Sequence, residues 1–581
     1  MPDPAASSVN AAPAPDRRVP RAAATLVVVR DGGEHGGIEV LLARRKASDD
    51  QNSGAWVFPG GVVDAGDHAA QACCRGLDDA AASARLGLTT QGLDHYVSAV
   101  RECFEEVGLL FASRAGDASG ELVRFDDDGG ASSTQSLLAE RGALHRGERA
   151  LADLCRDHGL QLAVDSLVYL SHWLTPLGRP KRFDTRFFIA AAPAGQQASV
   201  DGVEMLELRW FRAADALAQG VELKLMTPTQ KTLELVARFD RVAALLAWAA
   251  APRDIARVLP RIGRGSQGVR PVLPDEYAWA EIGRLDPEGR GDACYDIQPG
   301  VAVRLSPRLI RVTANNGSIM TGPGTNTYLV GGGERNEWAA IDPGPLDERH
   351  VEAILAAAPG AIRWIFATHT HTDHSPAVAP LKARTGATVY GQRSRHAQWQ
   401  DATFAPDVEL SGGERFELPG PDGGKTTLRV IHTPGHASNH LCYLLEEERL
   451  LFTGDHVMQA STVVINPPDG DMAAYVASLR ALIADEGDRL EWLAPGHGFL
   501  MAQPTRAMQW IIEHRLKREA KVLAALQAAP GGATPEALLG AVYDDVPARL
   551  HAMALRSLTA HLLKLEHDGK ARRRGDAWLA S

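Results

Sequence analysis

Six cysteines in 581 residues, of which only Cys73 and Cys74 are adjacent, supply neither a disulfide framework nor a CxxC pair. That scarcity excludes a disulfide-stapled scaffold and a cysteine-ligated zinc module, and it makes a reducing cytoplasm the expected setting. Long hydrophobic runs are missing too. The longest, "VAALLAWAAA" at 242–251, is about half of the roughly twenty residues that cross a bilayer. It lies between Arg241 and Pro252 and reads as a buried helix, so no membrane partner is expected. The opening residues 1–20 lack the apolar stretch of a secretory signal and, rich in Ala, Pro and Ser, read as a disordered tail. Positive charge is also short. A net charge of −11 gives no global case for nucleic-acid binding. The exception is local: from Arg506 onward twelve Lys/Arg face eight Asp/Glu.

What is present is ordinary globular material, 45% hydrophobic and 23% charged, in a chain long enough for about three or four domains. Residues 21–250 alternate strand-like runs with helical patterns. Residues 251–295 are dense in Pro, Gly and Arg without sustained periodicity and read as an interdomain connection. Residues 296–505 alternate again, and 506–581 are mostly helical. No internal repeat interrupts this order.

One stretch concentrates unusual chemistry. "FATHTHTDHSPA" (366–377) places His369, His371, Asp373 and His374 within six positions, after the buried-strand run "WIFAT". Ser375 as N-cap and Pro376 at the first helical position predict a helix that stops at Gly386. The cluster then sits in a strand-to-helix loop, either as a polar surface loop or as half of a metal site. Zinc needs about four nitrogen, sulfur or oxygen donors. Further candidates follow other strand-like runs: His436 in "VIHTPGHASNH", Asp455 in "LLFTGDHVM" and His497 in "WLAPGHG". His432, His440 and His456 fit the ligand pattern less well and are read as supporting groups.

HxHxDH, TPGH, TGD and PGHG in this order resemble the metallo-β-lactamase superfamily, with "GPGTNTYLVG" (322–331) and "AIDPG" (340–344) as its opening strands. The resemblance extends to β-lactamase-like protein 2 and glyoxalase II-like hydrolases. It implies an αββα sandwich over 296–505 with two Zn2+ or other divalent ions. His369, His371 and His436 would hold one ion, Asp373, His374 and His497 the other, and Asp455 would bridge them. Water made acidic by two dications would attack a carbonyl or phosphorus, with Asp373 orienting it.

A second signature lies in "AVRECFEEVGLL" (99–110), where Glu102, Glu105 and Glu106 fall at i, i+3 and i+4. Three carboxylates on one turn are either a solvated face or a site for a hard cation such as Mg2+ or Mn2+. With Arg101 first and Gly108 last, the run resembles the second half of a Nudix box, and "FPGGVVDAGD" (58–67) resembles its glycine-rich loop. Two departures stand out. Asp67 occupies the place of the loop's glutamate, and 33 residues separate it from Arg101. With "WLTPLGRPKRFDTRFF" (173–188) and "LKLMTPTQKTL" (223–233), this interrupted box resembles the peroxisomal coenzyme A diphosphatase branch. An α/β/α Nudix fold over 21–250 is implied, with Glu102, Glu105 and Glu106 on the metal and Arg101 holding the loop. Glu204 is a weaker carboxylate candidate. Arg182 and Arg186 are read as phosphate contacts or structural ion pairs.

The end of the chain predicts a long amphipathic helix, a helical pair and a hairpin around Gly575, which together resemble a small winged-helix domain over 506–581. Its Lys570, Arg572, Arg573 and Arg574 either touch phosphate backbones or pack against the acidic remainder. The fold class expected is therefore a multidomain α/β chain: Nudix, metallo-β-lactamase and winged-helix-like domains in order. Three functions compete. The first is a metal-dependent hydrolase of an ester, thioester or coenzyme A-type small molecule, with the Nudix region recognising or cleaving the diphosphate. The second is an endoribonuclease that binds RNA through the C-terminal domain. The third uses the Nudix region as a ligand sensor without catalysis. Oligomeric state leaves no mark in the sequence.

Overall fold

The computed structural model describes residues 19–33, 36–47, 53–117, 119–125, 131–396 and 400–581. The tail expected over 1–20 falls almost wholly outside the described residues. The chain divides into two compact units, Met1–Ile262 with Glu288–Arg290, and Gly263–Pro287 with Gly291–Ser581.

The first unit is built on an eight-stranded mixed sheet. Its main path runs Arg257–Val258, Val168–Leu174, Phe183–Ala191, Arg21–Asp31, Ile38–Arg45 and Trp56–Val57. Gly60–Val62 also pairs with Arg21–Asp31, and Met205–Arg212 with Ile38–Arg45. Arg21–Asp31 runs parallel to Phe183–Ala191, with Thr25 opposite Phe187. Its Ala24, Leu26 and Val28 enter the main core while Val27 and Val29 are equally buried, so the strand reads as one apolar run. The helix Gly92–Val107 carries Leu93, Tyr96, Val97, Val100, Phe104 and Val107 at helical spacing and buries all of them in the same core. It ends at Gly108, which takes the left-handed conformation at φ 70°.

The second unit opens with a seven-stranded sheet ordered Ala302–Ser306, Leu309–Thr313, Asn326–Gly332, Glu337–Ile341, Ala361–Phe366, Thr388–Gly391 and Val408–Glu409. A six-stranded sheet follows: Arg415–Pro419, Lys425–His432, Leu441–Leu445, Leu450–Gly454, Trp492–Pro495 and Met501–Ala502. Leu309, Tyr328, Val330 and Phe366 of one sheet meet Leu428, Val430, Tyr443 and Phe452 of the other. Helices Glu348–Ala357 and Val378–Thr385 cover the outer face of the first sheet. Met472–Glu486 and Pro504–Gln527 cover the second. The strand Leu441–Leu445 shows why such strands are apolar throughout. Tyr443 and Leu445 face the other sheet, while Cys442 and Leu444 face the helices. This is the αββα sandwich.

Two expectations need correction. The helix after the histidine cluster begins at Val378 with Ala377 before it, and Ser375 does not cap it. The Ser375 hydroxyl instead donates to Asp401 at 2.8 Å, and residues 372–377 are spent on turns that aim the cluster. The stop at Gly386 holds, at φ 67°. Residues 251–295 are also more than connecting chain. They contain a hairpin, Arg261–Gly265 with Gly268–Val272, and a helix, Trp279–Leu285. Glu281 of that helix pairs with Arg311 at 2.6 and 2.9 Å, both side chains being buried.

After Gln527 come the helices Pro535–Val542 and His551–His567 and the hairpin Ala571–Arg574 with Ala577–Ala580, closed at Gly575–Asp576. Leu538, Val542, Leu558, Leu562, Leu565 and Trp578 form their core with Val522 and Leu526 of the long helix. Thr534 caps its helix by accepting from the Ala537 amide. The hairpin predicted around Gly575 is present, and Arg572, Arg573 and Arg574 are exposed on it.

Candidate metal centre

Seven donors that the sequence spreads over 129 positions come together at one end of the sandwich, each on a loop that leaves a strand. His369, His371, Asp373 and His374 follow Ala361–Phe366. His436 follows Lys425–His432, Asp455 follows Leu450–Gly454, and His497 follows Trp492–Pro495. They fall into two groups, His369–His371–His436 and Asp373–His374–Asp455–His497, and within each group the ligand atoms lie within 4.8 Å of one another. Among the described residues no other set of three or more His, Cys, Asp or Glu is this close.

Asp455 joins the groups. Its Oδ1 lies 3.3 Å from His374 Nε2 and 3.2 Å from His497 Nε2, and its Oδ2 lies 3.7 Å from His436 Nε2. Asp373 Oδ2 is 3.5 Å from His374 Nε2 and 3.4 Å from His497 Nε2. In the other group His371 Nδ1 stands 2.9 Å from His369 Nε2 and 3.0 Å from His436 Nε2.

The far nitrogens of the rings are held by the fold. His374 Nδ1 meets Asp342 Oδ2 at 2.9 Å, His436 Nδ1 the Val464 carbonyl at 2.8 Å, and His497 Nδ1 the Gly324 carbonyl at 3.2 Å. His369 Nδ1 meets the Thr368 hydroxyl at 3.0 Å. With Nδ1 occupied, Nε2 is the lone pair left to point inward. Asp342 was not singled out from the sequence, although it sits in the quoted "AIDPG". It accepts from the Thr368 amide and hydroxyl, both at 2.7 Å, from a left-handed backbone at φ 49°. A non-glycine residue in that conformation is a signal of a functional constraint.

The close approaches depend on glycine at two points. A Cβ on Gly435 would stand 2.3 Å from Tyr475 Cα, and one on Gly496 would stand 2.8 Å from both Asp455 Oδ1 and His374 Cε1. The glycines of TPGH and PGHG therefore bring His436 and His497 to the centre.

Electrostatics fit a cation. Burial pushes the His369 ring well below the usual histidine range, and burial beside His436 takes His371 to about 3. Burial opposes a charge on His374, but Asp373, Asp455 and Asp342 outweigh it and raise its pKa well above the usual value. The buried atoms His374 Nε2, His497 Nε2 and Asp455 Oδ1 have no hydrogen-bond partner. Buried polar atoms left unpaired cost about 1–3 kcal/mol each, and three converging on one point are accounted for by an ion with nitrogen and oxygen ligands. The residues present fit a pair of divalent cations. Of the three supporting histidines, His440 and His456 are fully buried behind the ligands, with His440 Nδ1 on the Thr433 hydroxyl at 2.9 Å. His432 is exposed.

A cleft of about 470 Å3 opens over His371, Asp373, His436 and Asp455, and its far wall includes Met553 and Arg556 of the C-terminal domain. Sequence reasoning missed these two, because nothing local marks a helix of the C-terminal domain, nearly a hundred residues beyond Asp455, as a wall of the cleft.

In the first unit the interrupted box closes despite its insertion. Arg101 donates to Asp67 Oδ1 at 2.7 Å and Oδ2 at 3.1 Å, to Glu102 at 2.9 Å, to Glu105 at 3.1 Å and to the Val62 carbonyl at 2.9 Å. Glu106 accepts from the Gly60 amide at 2.9 Å. The 33 residues between Asp67 and Arg101 hold the separate helix Asp79–Leu86 and the first turns of Gly92–Val107, and Asp67 has the reach to bind the arginine in two places. Burial, with Glu102 nearby, lifts Glu105 to about 7, and burial lifts Glu106 well above the carboxylate range. The three glutamates do not converge as the central donors do, since Glu105 turns to Arg101 and Glu106 to Gly60. Glu204 lies 3.9 Å from Arg45 and is half exposed. Arg186 pairs with Asp184 at 2.9 Å, and Arg182 donates to the Thr175 carbonyl at 3.1 Å.

Comparison with known proteins agrees with this anatomy. The model of the metallo-beta-lactamase superfamily matches residues 320–497. The beta-lactamase associated winged helix domain matches 534–578, the NUDIX domain 19–78 and the NUDT19 Nudix domain 90–235. An atrochrysone carboxyl ACP thioesterase of Aspergillus chevalieri is 31% identical over 306 residues, covering 51% of this chain and 89% of that relative. A beta-lactamase-like protein 2 homolog of Drosophila melanogaster is 31% identical over 285 residues, 46% of this chain and 91% of the relative. A solved metallo-beta-lactamase family protein from Thermus thermophilus is 22% identical, covering 48% of this chain and all of its own, at a TM-score of 0.40.

Proposed function

This chain is a hydrolase that belongs to the metallo-β-lactamase superfamily, and we propose that its central domain cleaves thioesters with two zinc ions. The observation that carries the reading is Asp455, a buried carboxylate with one oxygen toward His374 and His497 and the other toward His436. Zinc suits a donor set dominated by imidazole. His369, His371 and His436 would hold one ion and Asp373, His374 and His497 the other, with Asp455 between. When bound, the ions acidify water and polarise the acyl carbonyl.

The chain's own residues do the rest. Asp342 and the Val464 and Gly324 carbonyls fix the tautomers of three histidines, so the centre is rigid before substrate arrives. Asp373, the most exposed of the carboxylates here, lies on the cleft wall and is placed to accept a proton from the attacking water. Thioester chemistry is supported by the thioesterase relatives. A cytoplasmic setting belongs to the same reading and rests on six free cysteines; among the described residues no helix is long and apolar enough to cross a membrane.

The closed Nudix box, with Arg101 holding the loop, supports a second site for a diphosphate of coenzyme A type; Glu102, Glu105 and Glu106 would hold Mg2+ or Mn2+ there only with Glu105 released from Arg101 and Glu106 from the Gly60 amide. RNA gains no such support, since the arginines of the wing do not line the cleft.

The test uses an S-acyl N-acetylcysteamine, a thioester without a diphosphate. Metal-replete protein is expected to hydrolyse it, and Asp455→Asn to lose about a thousandfold or more of kcat/KM together with bound metal. Retention of activity by the variant or by chelated protein sinks the reading.

A further inference from the structure

The cleft over the centre continues into a larger groove of the same unit. This groove, of about 750 Å3, shares Met320, Met458, Val463, Val464 and Met553 with the cleft that holds His371, Asp373 and Asp455. A molecule seated over the ligands thus has an unbroken wall leading away from them. Pro504–Gln527 contributes Trp510 to that wall and His551–His567 contributes Met553 and Ala554. The C-terminal domain therefore completes the groove.

Its surface is apolar where solvent should have selected polar groups. Tyr277 is 56% exposed, Ile319 69%, Met320 44% and Trp510 55%, and all four line this one groove. Single exposed apolar residues need no explanation, but a cluster around one concavity marks a binding site. The volume lies within the roughly 300–1,000 Å3 of small-molecule sites. The nearest cations are engaged: Arg518 holds Asp545 at 2.7 and 3.0 Å, and Arg515 holds the Val463 carbonyl. None of Lys570, Arg572, Arg573 and Arg574 lines either hollow among the described residues.

We propose that this groove is the acyl-binding site of the hydrolase, so that the substrate carries a large apolar acyl group and the C-terminal domain sets its selectivity. The inference rests on the thioester reading for the identity of its ligand. The thioester carbonyl would lie over the centre, with the tail among Met320, Met458, Trp510 and Met553. Methionine side chains adapt to irregular shapes, so the groove reads bulk and length rather than one outline.

The test separates binding from turnover. Metal-replete full-length protein is titrated calorimetrically with the S-dodecyl and S-methyl thioethers of N-acetylcysteamine, which have no bond to hydrolyse. Each methylene taken from water is worth about fourfold in affinity, so the dodecyl probe should bind at least ~100-fold tighter. Ser461→Trp, at an exposed position on the groove wall, and Trp510→Ser, at a half-exposed position that leaves the core intact, should each weaken it about tenfold or more. Equal affinity for the two probes, or dodecyl binding that neither substitution moves, overturns the proposal. Tight dodecyl binding without cleavage of any thioester would leave the apolar site standing and sink the thioesterase reading. Thioester cleavage indifferent to chain length would do the reverse.

Discussion

Asp455 shows how far single residues could be read. Its TGD context and its order among the histidines marked it as a ligand, and the structure places its two oxygens toward different groups. Asp342 is different. It binds no candidate metal position, and only its hold on His374 and Thr368 shows its work. Asp342→Ala should lower metal affinity about 10–100-fold with the fold intact; a competitive chelator titration that finds no change would contradict that role. His350 is a buried group outside the centre, with Nε2 on the Thr327 hydroxyl at 2.8 Å and Nδ1 unpartnered. Burial lowers its pKa to about 4. The unfolded chain takes up this proton near pH 6.5 and the folded chain resists it. The stability due to neutral His350 is therefore full above 6.5 and falls by about 1.4 kcal/mol per pH unit on the way to 4. His350→Gln should flatten the acid limb of the stability curve by about one proton, and an unchanged slope would refute this.

At the scale of elements, periodicity exposed what depends on local pattern and missed what depends on distant partners. The Gly92–Val107 helix, the hairpin at Gly575 and the stop at Gly386 all follow from residues within a turn or two. The start of the helix after the histidine cluster did not, because the Ser375 hydroxyl is claimed by Asp401, 26 positions away. The same holds for 251–295, whose short helix is anchored by an ion pair with Arg311 that no local pattern announces. Glu281 also accepts from the Leu500 amide at 2.8 Å, joining three segments. Glu281→Ala leaves Arg311 charged and buried without its carboxylate partner, which should cost about 3–5 kcal/mol. Replacing both together, Glu281→Leu with Arg311→Met, should recover most of that loss. Denaturant unfolding in which the single variant is no worse than the double would remove the pair from the account.

Across the whole molecule the fold class was legible because each domain carries its own ordered signature, from the glycine-rich loop and RExxEExG to HxHxDH and PGHG. The substrate pocket was not legible. Its walls come from Tyr277, Met320, Met458, Trp510 and Met553, which the chain scatters over nearly three hundred positions and which only folding brings to one groove. Two hydrolytic signatures in one chain make an acyl-coenzyme A the substrate that would engage both, its thioester at the central domain and its diphosphate at the first. The most direct measurement is therefore mass spectrometry of the products formed from a long-chain acyl-coenzyme A by metal-replete protein. The account predicts free fatty acid and a coenzyme A thiol, both lost in Asp455→Asn. An intact thioester, whether untouched or still attached to a fragment cut at the diphosphate, would contradict the central claim.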